Sequence, residues 1–112
     1  MTGVQTCALP ISLILLSPVP RNQWKDAKVK RENETYGKWS REVAENEKVF
    51  FVDLNNITAL KYEKETPEVV VKTYFTPKDN THTSEAGAKT NAQSVVDGLK
   101  NLKGKPFKKY LK

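Results

Sequence analysis

Two short, unbroken apolar runs, Leu13-Ile14-Leu15-Leu16 and Val49-Phe50-Phe51-Val52, limit what this chain can fold into. Continuous rather than alternating apolarity marks strands covered on both faces, as in a parallel sheet held between helical layers. From Thr35 onward, Tyr36, Trp39, Val43 and Ala44 fall on one side of a helix, with Lys38, Arg41, Glu42 and Glu45 toward water. Strand, helix and strand in that order predict a right-handed parallel crossover and an α/β fold.

The other segments fit around that unit. A polar loop runs from Ser17 to about Glu34, and the second run ends at Asp53. Asn55 or Asn56 can cap a short helix carrying Ile57, Leu60 and Lys61, with Asp53 capping or positioning it. Thr66-Pro67-Glu68 is a stronger start signal: threonine caps, proline takes the first helical position, and the acid meets the positive first turn. That helix carries Val70, Val71, Tyr74 and Phe75. A last helix begins near Ser84, with Ala88, Ala92, Val95, Val96 and Leu99 on one stripe, and ends around Leu102 before Gly104 and Pro106. The expected architecture is two parallel strands and about four helices. A two-stranded sheet is small for an independent core, so the isolated chain is expected to be marginally stable or to aggregate.

Candidate chemistry lies in Asp79-Asn80-Thr81-His82, which contains the one histidine of the chain. An aspartate three residues before a histidine, held in a turn, can set a carboxylate beside an imidazole. That is the orienting and proton-accepting half of a nucleophilic triad. Taken alone, the tetrapeptide suits a solvated loop that caps the next helix equally well. In open α/β sheets, active sites lie beyond the carboxyl ends of the strands, where the loops from Ser17 and Asp53 begin. Arg21, Asn22 and Trp24 are therefore candidate substrate contacts, Trp24 by stacking on a sugar and Arg21 by pairing with a carboxylate. The alternative is a loop packed against its own domain. Asp53 is a second candidate partner for His82, and no nucleophile is evident.

Ser12-Leu13-Ile14-Leu15-Leu16-Ser17-Pro18-Val19-Pro20-Arg21, Tyr36-Gly37-Lys38-Trp39, Phe51-Val52-Asp53-Leu54-Asn55 and Asp79-Asn80-Thr81-His82-Thr83 follow one another in that order. Together they resemble the C-terminal half of rhamnogalacturonan acetylesterases, members of the GDSL or SGNH hydrolases, over about residues 12–112. The resemblance implies a fragment of a three-layer α/β/α, flavodoxin-like sandwich. It implies Asp79 and His82 as catalytic residues, an acetylated pectic polysaccharide as substrate, no cofactor, and a secreted or periplasmic parent. It also implies a serine in a Gly-Asp-Ser motif and an oxyanion hole made by a glycine and an asparagine. None of these has a counterpart here, so the chain by itself is expected to lack esterase activity. Two other classes remain open: a non-catalytic polysaccharide-binding protein using Trp24 and the basic tail, and a small basic nucleic-acid binder.

Residues 1–11 resemble translated sequencing adapter and are set apart from residues 12–103, the hydrolase portion, and from a basic tail at 104–112. Cys7, the one cysteine, goes with the adapter-like segment, leaving no thiol from which to read a redox compartment. One histidine and scattered carboxylates make a metal site unexpected. The net charge is +6, and Lys103, Lys105, Lys108, Lys109 and Lys112 supply five of those charges. The charge is thus a terminal tail, with no nucleic-acid-binding signature to accompany it. The apolar stretch from Ala8 to Leu16 is too short to span a membrane and has no preceding basic residue, so neither export nor insertion is expected from it. Oligomeric state is not readable.

Overall fold

A computed structural model describes residues 11–111. The adapter-like reading of residues 1–10, Cys7 included, lies outside the described residues, as does Lys112. Strand β1, Ile14–Leu16, pairs in parallel with β4, Phe50–Val52, in the register Ile14 to Phe50, Leu15 to Phe51 and Leu16 to Val52. Helix α1, Tyr36–Glu47, makes the crossover between them. After β4 come α2, Leu54–Tyr62, α3, Pro67–Tyr74, and α4, Glu85–Lys100, so the fold is the expected mixed α/β arrangement with four helices.

The loop expected to be irregular up to Glu34 contains a small hairpin, β2 (Trp24–Lys25) and β3 (Lys28–Val29), paired antiparallel. Asp26 makes its turn possible with φ of 56°, a left-handed conformation that aspartate tolerates better than most residues. The hairpin covers the main core, in which Val29, Ala59, Tyr62, Val70 and Phe75 are buried and Trp24 and Tyr74 pack against them. Glu63, at the end of α2, holds the hairpin down. Its carboxylate accepts from the Val29 main-chain N–H at 2.8 Å and from Arg31 Nη1 and Nη2 at 2.6 and 3.2 Å.

Three helix faces differ in part from expectation. On α1, Gly37 and Ala44 are buried, whereas Tyr36, Trp39 and Val43 are exposed. On α2, Asp53 is the cap, accepting from Asn56 N–H, and Leu54, Asn55, Thr58, Ala59 and Tyr62 turn inward while Leu60 is exposed. On α4, Gly87, Ser94 and Gly98 are buried; of the expected stripe, Val95, Val96 and Leu99 are half-buried and Ala88 and Ala92 are exposed. A methyl group on Gly98 would sit 2.3 Å from Val52 Cγ1, so this helix approaches the sheet too closely for a side chain there. Ser94 is fully buried because its hydroxyl has a partner, accepting from Thr58 Oγ1 at 2.8 Å and donating to Thr90 O at 3.0 Å. Close backbone approach accounts for Gly37 on α1 and for Gly87 and Gly98 on α4, whereas α2 buries the large side chains of Leu54 and Tyr62.

Hydrogen bonding by Arg31 holds the Glu63 carboxyl below the ordinary glutamate range, with the Val29 N–H adding to the effect against the opposing influence of burial. A depressed folded-state value stabilises the fold above the unfolded pKa, and that stability is lost as pH falls through the folded one. Glu63→Gln is expected to lower stability by about 1.5–3 kcal/mol at neutral pH, because it removes charged hydrogen bonds and leaves Arg31 without its counter-ion. Urea unfolding at pH 7 and in mild acid checks this: the gap between wild type and variant should narrow on acidification.

Candidate active site

The segment from Thr76 to Thr83 is a loop closed at its base by main-chain bonds. Thr76 N–H donates to His82 O at 2.9 Å, Ser84 N–H donates to Tyr74 O at 3.0 Å, and Phe75 and Thr83 form an antiparallel bridge. Ser84 then caps α4: its Oγ accepts from Gly87 N–H at 3.1 Å and donates to Thr73 O at 2.7 Å. Gly87 allows this junction, since a Cβ there would meet Tyr74 O at 2.1 Å. Both ends of the loop are thereby fixed to α3 and α4.

Inside the loop, Asp79 organises the turn. Its Oδ1 accepts from the main-chain N–H groups of Thr81 at 2.8 Å and His82 at 2.7 Å, and its Oδ2 lies 2.6 Å from His82 Nδ1. The main-chain N–H of His82, that of Thr81 and the imidazole contact together push the Asp79 carboxyl down to about 2. Asp79 is therefore an acceptor only at neutral pH, and the proton in the short contact belongs on Nδ1. In the neutral ring, Nε2 then carries a free lone pair. The imidazole is 75% exposed, and among the described residues no hydrogen bond occupies Nε2. Chemically, this is an oriented imidazole with an open nitrogen that can accept a proton.

The loop leaving β1 reaches this turn through the backbone: Asn22 N–H donates to Asn80 O at 2.8 Å. Asn22 Oδ1 accepts from Trp24 Nε1 at 2.7 Å. Of the three candidate substrate contacts, Asn22 thus adjoins the Asp–His turn, while the Trp24 indole lies half-buried against the core with its N–H engaged. Arg21 is exposed, next in sequence to that junction. Asp53 is not brought to His82. Its Oδ1 accepts from Ser17 Oγ at 2.7 Å and its Oδ2 from Arg41 Nη2 at 3.3 Å, while Ser17 Oγ itself accepts from Asn55 N–H at 2.9 Å. These contacts lock the carboxyl ends of the two parallel strands together and occupy the buried Ser17 hydroxyl.

The Asn22–Asn80 tie had no sequence signal, because it is made by main-chain atoms that any residue supplies. Among the described residues, no group of three histidine, cysteine, aspartate or glutamate side chains is arranged to hold a metal ion. No helix among them is long and apolar enough to cross a membrane. A cavity of about 250 Å³, lined by Leu99, Lys100, Lys105, Lys108 and Leu111, lies at the opposite end of α4. The length of that helix, about 24 Å, separates the cavity from His82.

No family model and no curated protein sequence matches the chain. Its structure is similar to the X-ray structure of protein YxiM from Bacillus subtilis, with a TM-score of 0.70 and 25% identity over 80% of this chain. The match covers 25% of the YxiM chain, so the present chain spans about a quarter of that protein's length.

Because the Asp79 carboxyl is lowered to about 2, its hold on the turn should persist well below the ordinary aspartate range and fade only as pH falls toward that value. The protection of the Thr81 and His82 amides, relative to their intrinsic exchange rates, should therefore be retained at pH 4 in the wild type. In Asp79→Ala, both amides should lose this protection and exchange at close to their intrinsic rates at each pH.

Proposed function

We propose that the chain is the C-terminal portion of a serine-type carbohydrate esterase that removes acetyl groups from rhamnogalacturonan, and that it carries the Asp–His part of the triad. The observation that supports this reading is the 2.6 Å contact between Asp79 Oδ2 and His82 Nδ1, with Nε2 left open. The resemblance of the Asp79–Thr83 turn and the strand-to-Arg21 run to rhamnogalacturonan acetylesterases supplies the reaction class and the substrate.

In this mechanism, His82 Nε2 accepts the proton of a serine hydroxyl as the serine oxygen attacks the acetyl carbonyl. Asp79 keeps the Nδ1–H tautomer and stabilises the imidazolium while the tetrahedral intermediate exists. The intermediate collapses as Nε2 returns the proton to the departing sugar oxygen, leaving an acetyl-serine. Water, deprotonated by the same nitrogen, releases acetate. In this reading Asn22, tied to the turn, and the neighbouring exposed Arg21 contact the substrate, Arg21 by pairing with the carboxylate of a uronic acid.

The nucleophile and the oxyanion donors belong to a preceding part of the parent protein in this reading. One missing oxyanion donor alone raises the barrier by about 3–4 kcal/mol in comparable hydrolases. The chain by itself should accordingly show no saturable turnover of a chromogenic acetate ester. The test is the genomic reading frame upstream of Ser12, which should encode Gly-Asp-Ser followed by an asparagine-containing block. The protein expressed from that frame should deacetylate rhamnogalacturonan, and His82→Ala should reduce kcat/KM by about 10³-fold or more. A frame without that serine, or activity that survives His82→Ala, overturns the proposal.

A further inference from the structure

The basic segment after α4 is folded back on the domain. Gly104 and Lys105 take left-handed φ values of 80° and 51°, which reverse the backbone, and Lys105 N–H closes the turn on Leu102 O at 3.0 Å. A left-handed lysine is uncommon and persists only where its surroundings hold it. Two contacts hold this one. Lys105 Nζ donates to Lys100 O at 2.7 Å, at the end of α4, and Phe107 packs edge-on against Phe50 of β4 at 5.1 Å. A 3-10 turn over Lys108–Tyr110 then carries Leu111 to the same cavity as Leu99.

That cavity, about 250 Å³, is the one lined by Leu99, Lys100, Lys105, Lys108 and Leu111. Both leucines are half-buried, and the three lysines are exposed. Lysine stems lie along apolar surface while their ammonium groups stay in water, so the walls are hydrocarbon and the positive charge belongs at the mouth. A cavity of about 150 Å³ is enough to admit benzene. The larger volume here has room for one aromatic ring or a short acyl chain.

The charge at the mouth is not balanced locally. Residues 98–111 include five lysines and no aspartate or glutamate. The nearest acid along the helix, Asp97, is engaged by Lys61 Nζ and by Gln93 Nε2, each at 2.9 Å. Cations at a helix carboxyl end ordinarily serve its last carbonyl groups, and Lys105 does so. Lys108 belongs to the separate 3-10 turn, and among the described residues no carboxylate pairs with it. Lys109 instead lies over the Tyr110 ring, 5.1 Å from its centre. Lys108 is thus a cation beside an apolar cavity with neither a helix end nor an acid to answer.

We propose that this cavity binds a small apolar carboxylate, with the ring or acyl chain between Leu99 and Leu111 and the carboxylate at Lys108. Apolar walls select a hydrocarbon body over a sugar or a bare inorganic anion, and the lysine mouth selects a negative head over a neutral one. The site lies a helix length from His82, and the inference does not depend on the esterase reading.

The test titrates phenylpropionate and octanoate into the full chain and follows the carbon-13 methyl signals of Leu99 and Leu111. Saturable shifts at both residues are expected, with a Kd of about 1 mM or tighter, in keeping with ligands of this size. The amide of phenylpropionate should bind about tenfold more weakly, since it lacks the charged contact. Lys108→Gln, at an exposed position, should weaken the carboxylate about tenfold and leave the amide unchanged. Lys25→Gln, which removes the same charge from the hairpin, should leave both unchanged. Four results overturn the proposal: no saturable shift with either carboxylate, equal affinity for the amide, inorganic phosphate moving the same signals with equal affinity, or Lys25→Gln costing as much as Lys108→Gln. None of these readouts involves ester hydrolysis, so failure here leaves the role of His82 untouched, and the reverse also holds.

Discussion

Asp79 receives three donors at once, and the chemistry available to the loop follows from that. Two are main-chain N–H groups, of Thr81 and His82, on one carboxylate oxygen; the third is the imidazole, on the other. The main-chain pair fixes the direction of the carboxylate, so the imidazole is held by a group that is itself held. A surface aspartate free to rotate would leave the ring to sample either tautomer. The loop is rigid because its base is stitched to α3 and α4 by Thr76, Ser84 and the Phe75–Thr83 bridge.

That rigidity passes outward through few contacts. Asn22 links the loop to the segment leaving β1, and Ser17 and Asp53 link the ends of β1 and β4 to the start of α2. The strand ends, the first residues of α2 and the Asp–His turn thus form one connected framework. Its helices come close because small residues stand at the contacts, Gly87 against Tyr74 O and Gly98 against Val52. Several large apolar side chains stay exposed, among them Leu16 on β1, Tyr36, Trp39 and Val43 on α1, Leu60 on α2 and Val69 and Val71 on α3.

Much of this was legible in the residues. Unbroken apolar runs located β1 and β4, Thr66-Pro67-Glu68 placed α3, and Ser84 placed α4, because capping chemistry is local. Asp79-x-x-His82 anticipated the carboxylate–imidazole contact for the same reason: three residues of turn decide it. The helix faces were only partly legible: Ala44 and Val70 lie inward as periodicity predicts, but periodicity gives no weight to Gly37, Ser94 and Gly98, which close packing buries. The hairpin was hidden because its strands are two residues each and its turn depends on a positive φ at Asp26. The tie between Asn22 and Asn80 uses only backbone and leaves no trace in side-chain pattern.

The most direct measurement of the central claim is the tautomer of His82, read from the nitrogen-15 shifts and couplings of its ring at neutral pH. The account requires the proton on Nδ1, toward Asp79, with Nε2 unprotonated and open, and a shift of the equilibrium toward the Nε2–H form in Asp79→Asn. A wild-type ring that carries its proton on Nε2, or a tautomer ratio indifferent to Asp79→Asn, would contradict it.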